Sequence, residues 1–218
     1  MNSLWNPALL GPFMRPAIPF SYPGIDGDVD RLGKLIALGL RGADWRPPES
    51  PAVLNLACGR ADETGVLLQN LAPFATRLFY LGIDLRPPEI EEAKRRWLPT
   101  RLPGHDMEFR AGDASRTDRM TLLPPFDFIF IRHQNFWSEP EVWTRLYQNA
   151  LSRLKPSGLL MITSYFDREH ELATACLRQL RAERIIHLPH PDSRALKDAP
   201  GKSVDRHLSA FVSEAAQP

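Results

Sequence analysis

Three short segments of this 218-residue chain carry side chains able to hold a ligand. In Asn55-Leu56-Ala57-Cys58-Gly59, the glycine lets a ligand come close to the backbone. In Gly82-Ile83-Asp84-Leu85, a carboxylate stands 25 residues beyond Gly59. An acid there can accept hydrogen bonds from both hydroxyls of a ribose. In Ala111-Gly112-Asp113-Ala114, a second acid can accept from an exocyclic amine such as that of adenine. A phosphate-cradling G-x-G-x-x-G loop is missing, since only Gly59 stands where three glycines belong. The combination fits a nucleoside without phosphates better than a nicotinamide or flavin dinucleotide.

Each segment follows a stretch that reads as a buried strand: 52–57, 78–84 and 107–111. Further strands are expected at 126–132 (FDFIFIR), 159–163, 185–188 and 208–212, the fifth behind a turn at Lys155-Pro156-Ser157-Gly158. Helical spacing of apolar residues begins at Asp28 and runs through Leu40. Helices are also expected at 62–71, 88–97, 138–154 and 169–182. Pro88 suits a first helical turn, Glu91–Arg95 and Glu92–Arg96 are spaced as ion pairs, and Ser138 with Glu141 has capping-box spacing. Strands alternating with helices imply an α/β fold: a doubly wound, seven-stranded, mostly parallel sheet with helices on both faces. The last two strands have no helix between them, so they should pair antiparallel at one edge. In such sheets ligands bind beyond the carboxyl ends of the strands, where the three segments fall.

Composition narrows the classes. The 21 prolines are roughly twice ordinary usage and argue against a helical bundle. With 27 basic and 26 acidic residues, no strong field draws the chain to nucleic acid or membrane. Two cysteines, no signal-peptide pattern and no apolar stretch of membrane-spanning length place it in the cytoplasm.

In order and spacing, NLACGRADETG, LGIDL, FRAGDAS, FDFIFIRH and ALSRLKPSGLLMIT resemble the class I S-adenosylmethionine-dependent methyltransferases, across about residues 50–213. The resemblance implies a cofactor, S-adenosyl-L-methionine, whose methionine part meets Asn55, Ala57, Cys58 and Gly59. It implies that Asp84 holds the ribose, that Leu85, Asp113 and Ala114 meet the adenine, and that Arg132 and His133 stand near the methyl group. His133 is then the candidate base, and Asn135, Tyr165 and Asp167 the candidate acceptor-side residues. The chain departs from the family at Asn55, where an acid is usual, and at Ala57 and Ala61, where glycines are usual. Asp62 or Glu63 is expected to supply the charge that Asn55 lacks.

The implied function is methyl transfer to an acceptor, with a small molecule expected. No N-P-P-Tyr-like stretch follows the fourth strand, which disfavours DNA bases. A methyltransferase-like binding or scaffold protein with a weakened cofactor site is the alternative from another class. Cys58 reads as a packing residue, and His187 with His190 as surface histidines without a metal. The organisation expected is a proline-rich arm at 1–27, a helix and connector at 28–46, and the methyltransferase-like domain at 47–218. The arm offers a cover for an acceptor pocket or a contact for a homodimer.

Overall fold

A computed structural model describes residues 24–213. Its strands are β1 (Ala52–Leu56), β2 (Leu78–Asp84), β3 (His105–Ala111), β4 (Phe126–Ile131), β5 (Leu154–Ser164), β6 (Ala182–Pro189) and β7 (His207–Ser213). Its helices are α1 (Ile25–Gly42), α2 (Thr64–Leu71), α3 (Pro87–Trp97), α4 (Pro140–Arg153) and α5 (Asp167–Gln179). The seven strands form one sheet in the order β3-β2-β1-β4-β5-β7-β6. The first five are parallel, and β7 runs antiparallel to both β5 and β6. The expected sheet is therefore present, with its antiparallel pairing made by β7 inserted between β5 and the outermost β6.

Strands β1 and β4 are buried along their whole length because helices cover both faces. Val53, Tyr80, Phe128 and Phe130 pack under α1, α2 and α3, while Leu54, Leu56, Ile129 and Ile131 pack under α4 and α5. The strand order reverses between β1 and β4, the point beyond whose strand ends such sheets bind ligands.

Several local expectations are corrected. The acids Asp62 and Glu63 lie before α2, because a left-handed residue at Ala61 delays the helix to Thr64. Arg96 leaves Glu92 and turns inward to Asp62, at 2.5 Å, so Glu92 pairs with Arg95 and Glu91 with Lys94 instead. Ser138 caps nothing: its hydroxyl donates to the Asn135 carbonyl, and α4 starts at Pro140. The Lys155–Gly158 turn is a bulge within β5, since Phe126 pairs with Leu154 but Phe128 with Leu159. Helix α5 starts two residues earlier and ends three earlier than expected, because Arg181 turns left-handed before β6.

Helix α1 begins at Ile25, and the arm's residues 1–23, with the homodimer contact expected of them, lie outside the described residues. No described helix is long and apolar enough to cross a membrane. No group of three or more His, Cys, Asp or Glu among the described residues is placed to hold a metal ion.

Candidate cofactor and acceptor site

The loop after β1 turns left-handed three times, at Ala57 (φ 54), Gly59 (φ 55) and Ala61 (φ 55). These are the three positions where glycines ease such a path, so two alanines hold the conformation that glycine would adopt freely. The loop is pinned to the next strand: the Gly59 N–H donates to Asp84 Oδ2 at 2.7 Å, and the Cys58 N–H to the Ile83 carbonyl at 3.1 Å. Close approach also explains Gly82, where a Cβ would stand 2.7 Å from the Phe109 ring and 3.1 Å from Cys58 Sγ. Burial pushes the Cys58 thiol well up, and the Glu63 and Asp84 charges add to this, so it is a packing group and not a thiolate.

Asp84 ends β2 with its carboxylate nearly buried, and Arg86 folds back over it, donating from its backbone N–H and its Nε to Oδ1 at 3.0 Å each. The next residue, Leu85, is 68% exposed, an apolar surface beside a carboxylate. Asp113 caps the 3-10 turn Ala114–Arg119 by accepting from the Ser115 N–H, and Ala114 is buried beneath it.

Under the loop, Asn55 donates from Nδ2 to Glu63 Oε1 at 2.6 Å and to the Tyr80 hydroxyl at 2.9 Å. Its Oδ1 is buried without a hydrogen-bond partner among the described residues. Of the two acids expected to replace the missing charge, Asp62 is occupied by Arg96 and Arg60. Glu63 is the one placed beside Asn55. Burial raises its carboxyl, opposed by the Arg132 charge and the Asn55 hydrogen bond.

Beyond β4, Arg132 stands between two acids, 3.6 Å from Glu63 Oε2 and bidentate to Asp205 at 3.1 and 2.7 Å. Asp205 lies in the loop between β6 and β7, is 1% exposed, and accepts from the Thr163 hydroxyl at 2.8 Å. His133 Nε2 is 2.8 Å from Asp205 Oδ1, to which its N–H donates, and 3.1 Å from the Asp205 backbone nitrogen. The His133 ring stacks on Tyr165 with centroids 3.7 Å apart. His133 and Asp205 both adopt left-handed backbone (φ 54 and 52), a conformation that non-glycine residues keep only where surrounding contacts enforce it. Burial holds the His133 imidazole below its usual range, with Arg132 adding to this and Asp205 opposing. Burial alone would raise the Asp205 carboxyl, but the Arg132 charge, with the hydrogen bonds from His133 and Arg132, holds it far down.

Of the residues expected at the site, Gly59 is bonded directly to Asp84, Cys58 is tied to β2 at the adjacent Ile83, and Asn55 at the end of β1 is bonded to Glu63 and Tyr80. Arg132 bridges Asn55, through Glu63, to His133 and Tyr165. Asn135 is exposed just beyond them. Asp167 is elsewhere: it pairs with Arg206 at 2.8 Å and His207 at 2.7 Å on the side of α5 that faces β7. The sequence reading missed Asp205, which carries no local motif, and Tyr80, whose hydroxyl joins Asn55 to Thr64.

The strand order, with its reversal between β1 and β4 and its antiparallel β5-β7-β6 edge, is that of the class I methyltransferase fold. Residues 53–158 match the family model described as a methyltransferase domain. Among solved structures, a protein from Pyrococcus horikoshii OT3 (PH0226) is similar at 14% identity and a TM-score of 0.63, covering 94% of this chain and 97% of that one. An S-adenosylmethionine-dependent methyltransferase from Clostridium acetobutylicum ATCC 824 is 12% identical, with a TM-score of 0.61 over 85% of this chain and 92% of that one. Geranyl diphosphate C-methyltransferase from Streptomyces coelicolor A3(2), solved with Mg2+, geranyl diphosphate and S-adenosyl-L-homocysteine, is 10% identical, with a TM-score of 0.61 over 91% and 88% of the two chains. At these identities the likeness is one of fold. Among curated proteins none matches the chain.

Proposed function

We propose that the chain is an S-adenosylmethionine-dependent methyltransferase acting in the cytoplasm on a small-molecule acceptor. The observation that carries this reading is Asp84, tied to Gly59 of a left-handed loop and followed by the exposed apolar Leu85. That arrangement suits a ribose held by the carboxylate and an adenine lying on Leu85, with Asp113 and Ala114 at the ring edge. The orphaned Asn55 Oδ1 and the neighbouring Glu63 carboxylate suit the ammonium of the methionine part, which would pass over Ala57, Cys58 and Gly59. The residues therefore fit the cofactor. When bound, it supplies an electrophilic methyl group on a sulfonium.

His133 is the base in this proposal. Its lowered pKa leaves it neutral near pH 7, and in the tautomer whose Nε2–H donates to Asp205 Oδ1, Nδ1 keeps its lone pair and is the nitrogen that takes the acceptor's proton. Tyr165 orients the imidazole by stacking, and Asn135 lines the acceptor side. Arg132 acts by holding Glu63 and Asp205 in place. The pairing of Asp167 with Arg206 and His207 leaves it outside this arrangement. Support for a small-molecule acceptor comes from the similar fold of the geranyl diphosphate enzyme and from the near-neutral charge. The two free, buried cysteines suit a reducing compartment.

Titration calorimetry with S-adenosylmethionine and S-adenosylhomocysteine tests the proposal. Saturable binding, weakened about tenfold or more in Asp84→Ala, is expected, because a charged acceptor of two hydroxyl hydrogen bonds is lost. Absence of binding to either compound would overturn it. One observation favours the non-enzymatic alternative: Arg86 engages the Asp84 carboxylate that a ribose would use.

A further inference from the structure

A second cluster of chemistry-bearing residues lies apart from the Asp84 and His133 groups, in a cleft of about 520 Å³ between α5 and the strands β6 and β7. One stripe of α5 forms a wall with Asp167, His170, Glu171, Thr174, Ala175 and Arg178, and Arg184, His187 and His207 face it from the sheet. The His170 ring stacks on those of His187 and His207, with centroids 4.9 and 4.8 Å apart, and His187 and His207 meet at a tilt with centroids 5.3 Å apart. His170 is bonded through both nitrogens, to Ser164 at 3.0 Å and Ser209 at 2.9 Å. His187 Nε2 meets His207 Nδ1 at 3.2 Å, and His207 Nε2 meets Asp167 Oδ1 at 2.7 Å.

Charge is unbalanced in this cleft. Asp167 is bound by Arg206 and His207, and Glu171 by Arg168 at 3.3 Å, so both carboxylates already have cationic partners. Arg178 and Arg184, on opposite walls, have no ion pair or hydrogen bond among the described residues. Thr174 on the α5 wall is 4% exposed, and its buried hydroxyl has no hydrogen-bond partner among the described residues. Two unpaired guanidinium forks and an imidazole edge form a set of donors around a space large enough for a small ligand.

We propose that this cleft binds the phosphate group of a small phosphomonoester, held between Arg178 and Arg184. Guanidinium suits a tetrahedral dianion because its planar fork donates two parallel hydrogen bonds to neighbouring oxygens. The surrounding electrostatics agree: burial first, and then the positive fields of His207 and Arg184, keep His187 below its usual range. An anion beside Arg184 cancels that field, so binding raises the His187 pKa. The other groups facing His187 are His170, Glu171, Arg178 and Asp167 on α5, and His207 on β7.

The test follows the imidazole NMR signals of the full chain at constant ionic strength, titrated with inorganic phosphate and with phenyl phosphate. Saturable shifts of His187 and His207 with both are expected, tighter for phenyl phosphate, together with an upward shift of the His187 pKa. Arg178→Ala and Arg184→Ala should each weaken binding about tenfold, as for loss of a charge-assisted hydrogen bond. Arg181→Ala, an exposed arginine that does not line the cleft, should leave it unchanged. Equal shifts with chloride, or unchanged affinity in both cleft variants, would overturn the site. Saturation by inorganic phosphate with phenyl phosphate excluded would overturn the phosphomonoester assignment. Binding should survive Asp84→Ala, which separates this cleft from the cofactor proposal.

Discussion

Asp205 holds the guanidinium of Arg132 from 73 residues away in the chain, through two hydrogen bonds of 3.1 and 2.7 Å. Both side chains are nearly inaccessible to solvent, and the carboxylate also serves Thr163 and His133. One acid therefore ties the ends of β4 and β5 to the loop before β7. Removing it strands a buried arginine. Asp205→Ala should cost about 3–5 kcal/mol by chemical denaturation, as for a broken buried ion pair. The double change Asp205→Leu with Arg132→Met should cost clearly less, because no charge is then left unpaired. Equal losses in the single and double variants would contradict this account. Acid acts in the same direction as the single variant: a depressed carboxyl contributes stability above its unfolded value of about 3.9 and loses it as pH falls through the folded value.

The two alanines in the loop after β1 are expected to behave differently. Ala57 is only half-buried, so Ala57→Gly should raise stability by about 1 kcal/mol by relieving left-handed backbone. Ala61 is fully buried, and removing its methyl gives back about 0.8 kcal/mol of apolar burial. Ala61→Gly should therefore show little net gain in the same denaturation experiment.

Arg86 competes for the carboxylate assigned to the ribose. Its side chain is 61% exposed, so its ion pair with Asp84 is worth about 0–1 kcal/mol. Arg86→Ala should tighten S-adenosylhomocysteine binding by up to about fivefold, the equivalent of that energy. A large loss of affinity would instead show that Arg86 is itself a ligand of the cofactor.

Histidine 170 gives a pH dependence with a definite sign. Burial, with His207, His187 and Arg184 adding to it, holds the imidazole at about 3. The unfolded chain then binds a proton near pH 6.5 that the folded chain refuses, so stability falls as pH drops below that point. The slope is on the order of 1 kcal/mol per pH unit for one group. Glu169, raised to about 7 by burial, acts oppositely between its unfolded value and pH 7, because its folded form takes up the proton first. Comparing wild type with His170→Gln between pH 5 and 7 isolates the histidine: the variant should lose less stability on acidification.

The sheet was legible because its central strands are short buried runs bounded by turn residues, and Gly59, Asp84 and Asp113 stand directly behind them. Side-chain pairing was less legible. Regular spacing assigned Arg96 to Glu92, yet the buried Asp62 outcompetes a solvated helix partner. Asp205 could not be read at all, since it sits in a polar loop and meets His133 only when β7 is inserted beside β5. Asp167 followed a strand as acceptor-side residues do, but opening α5 turned it toward Arg206 and His207.

The position of β7 has a consequence for synthesis on the ribosome. It is made after β6 yet lies between β5 and β6, so β6 has no neighbour in the sheet until β7 emerges. The loop delivered with β7 brings Asp205 to Arg132 and His133 in the same event. A nascent chain that has finished the methyltransferase-matching segment therefore still lacks the clamp on His133, which arrives together with closure of the sheet.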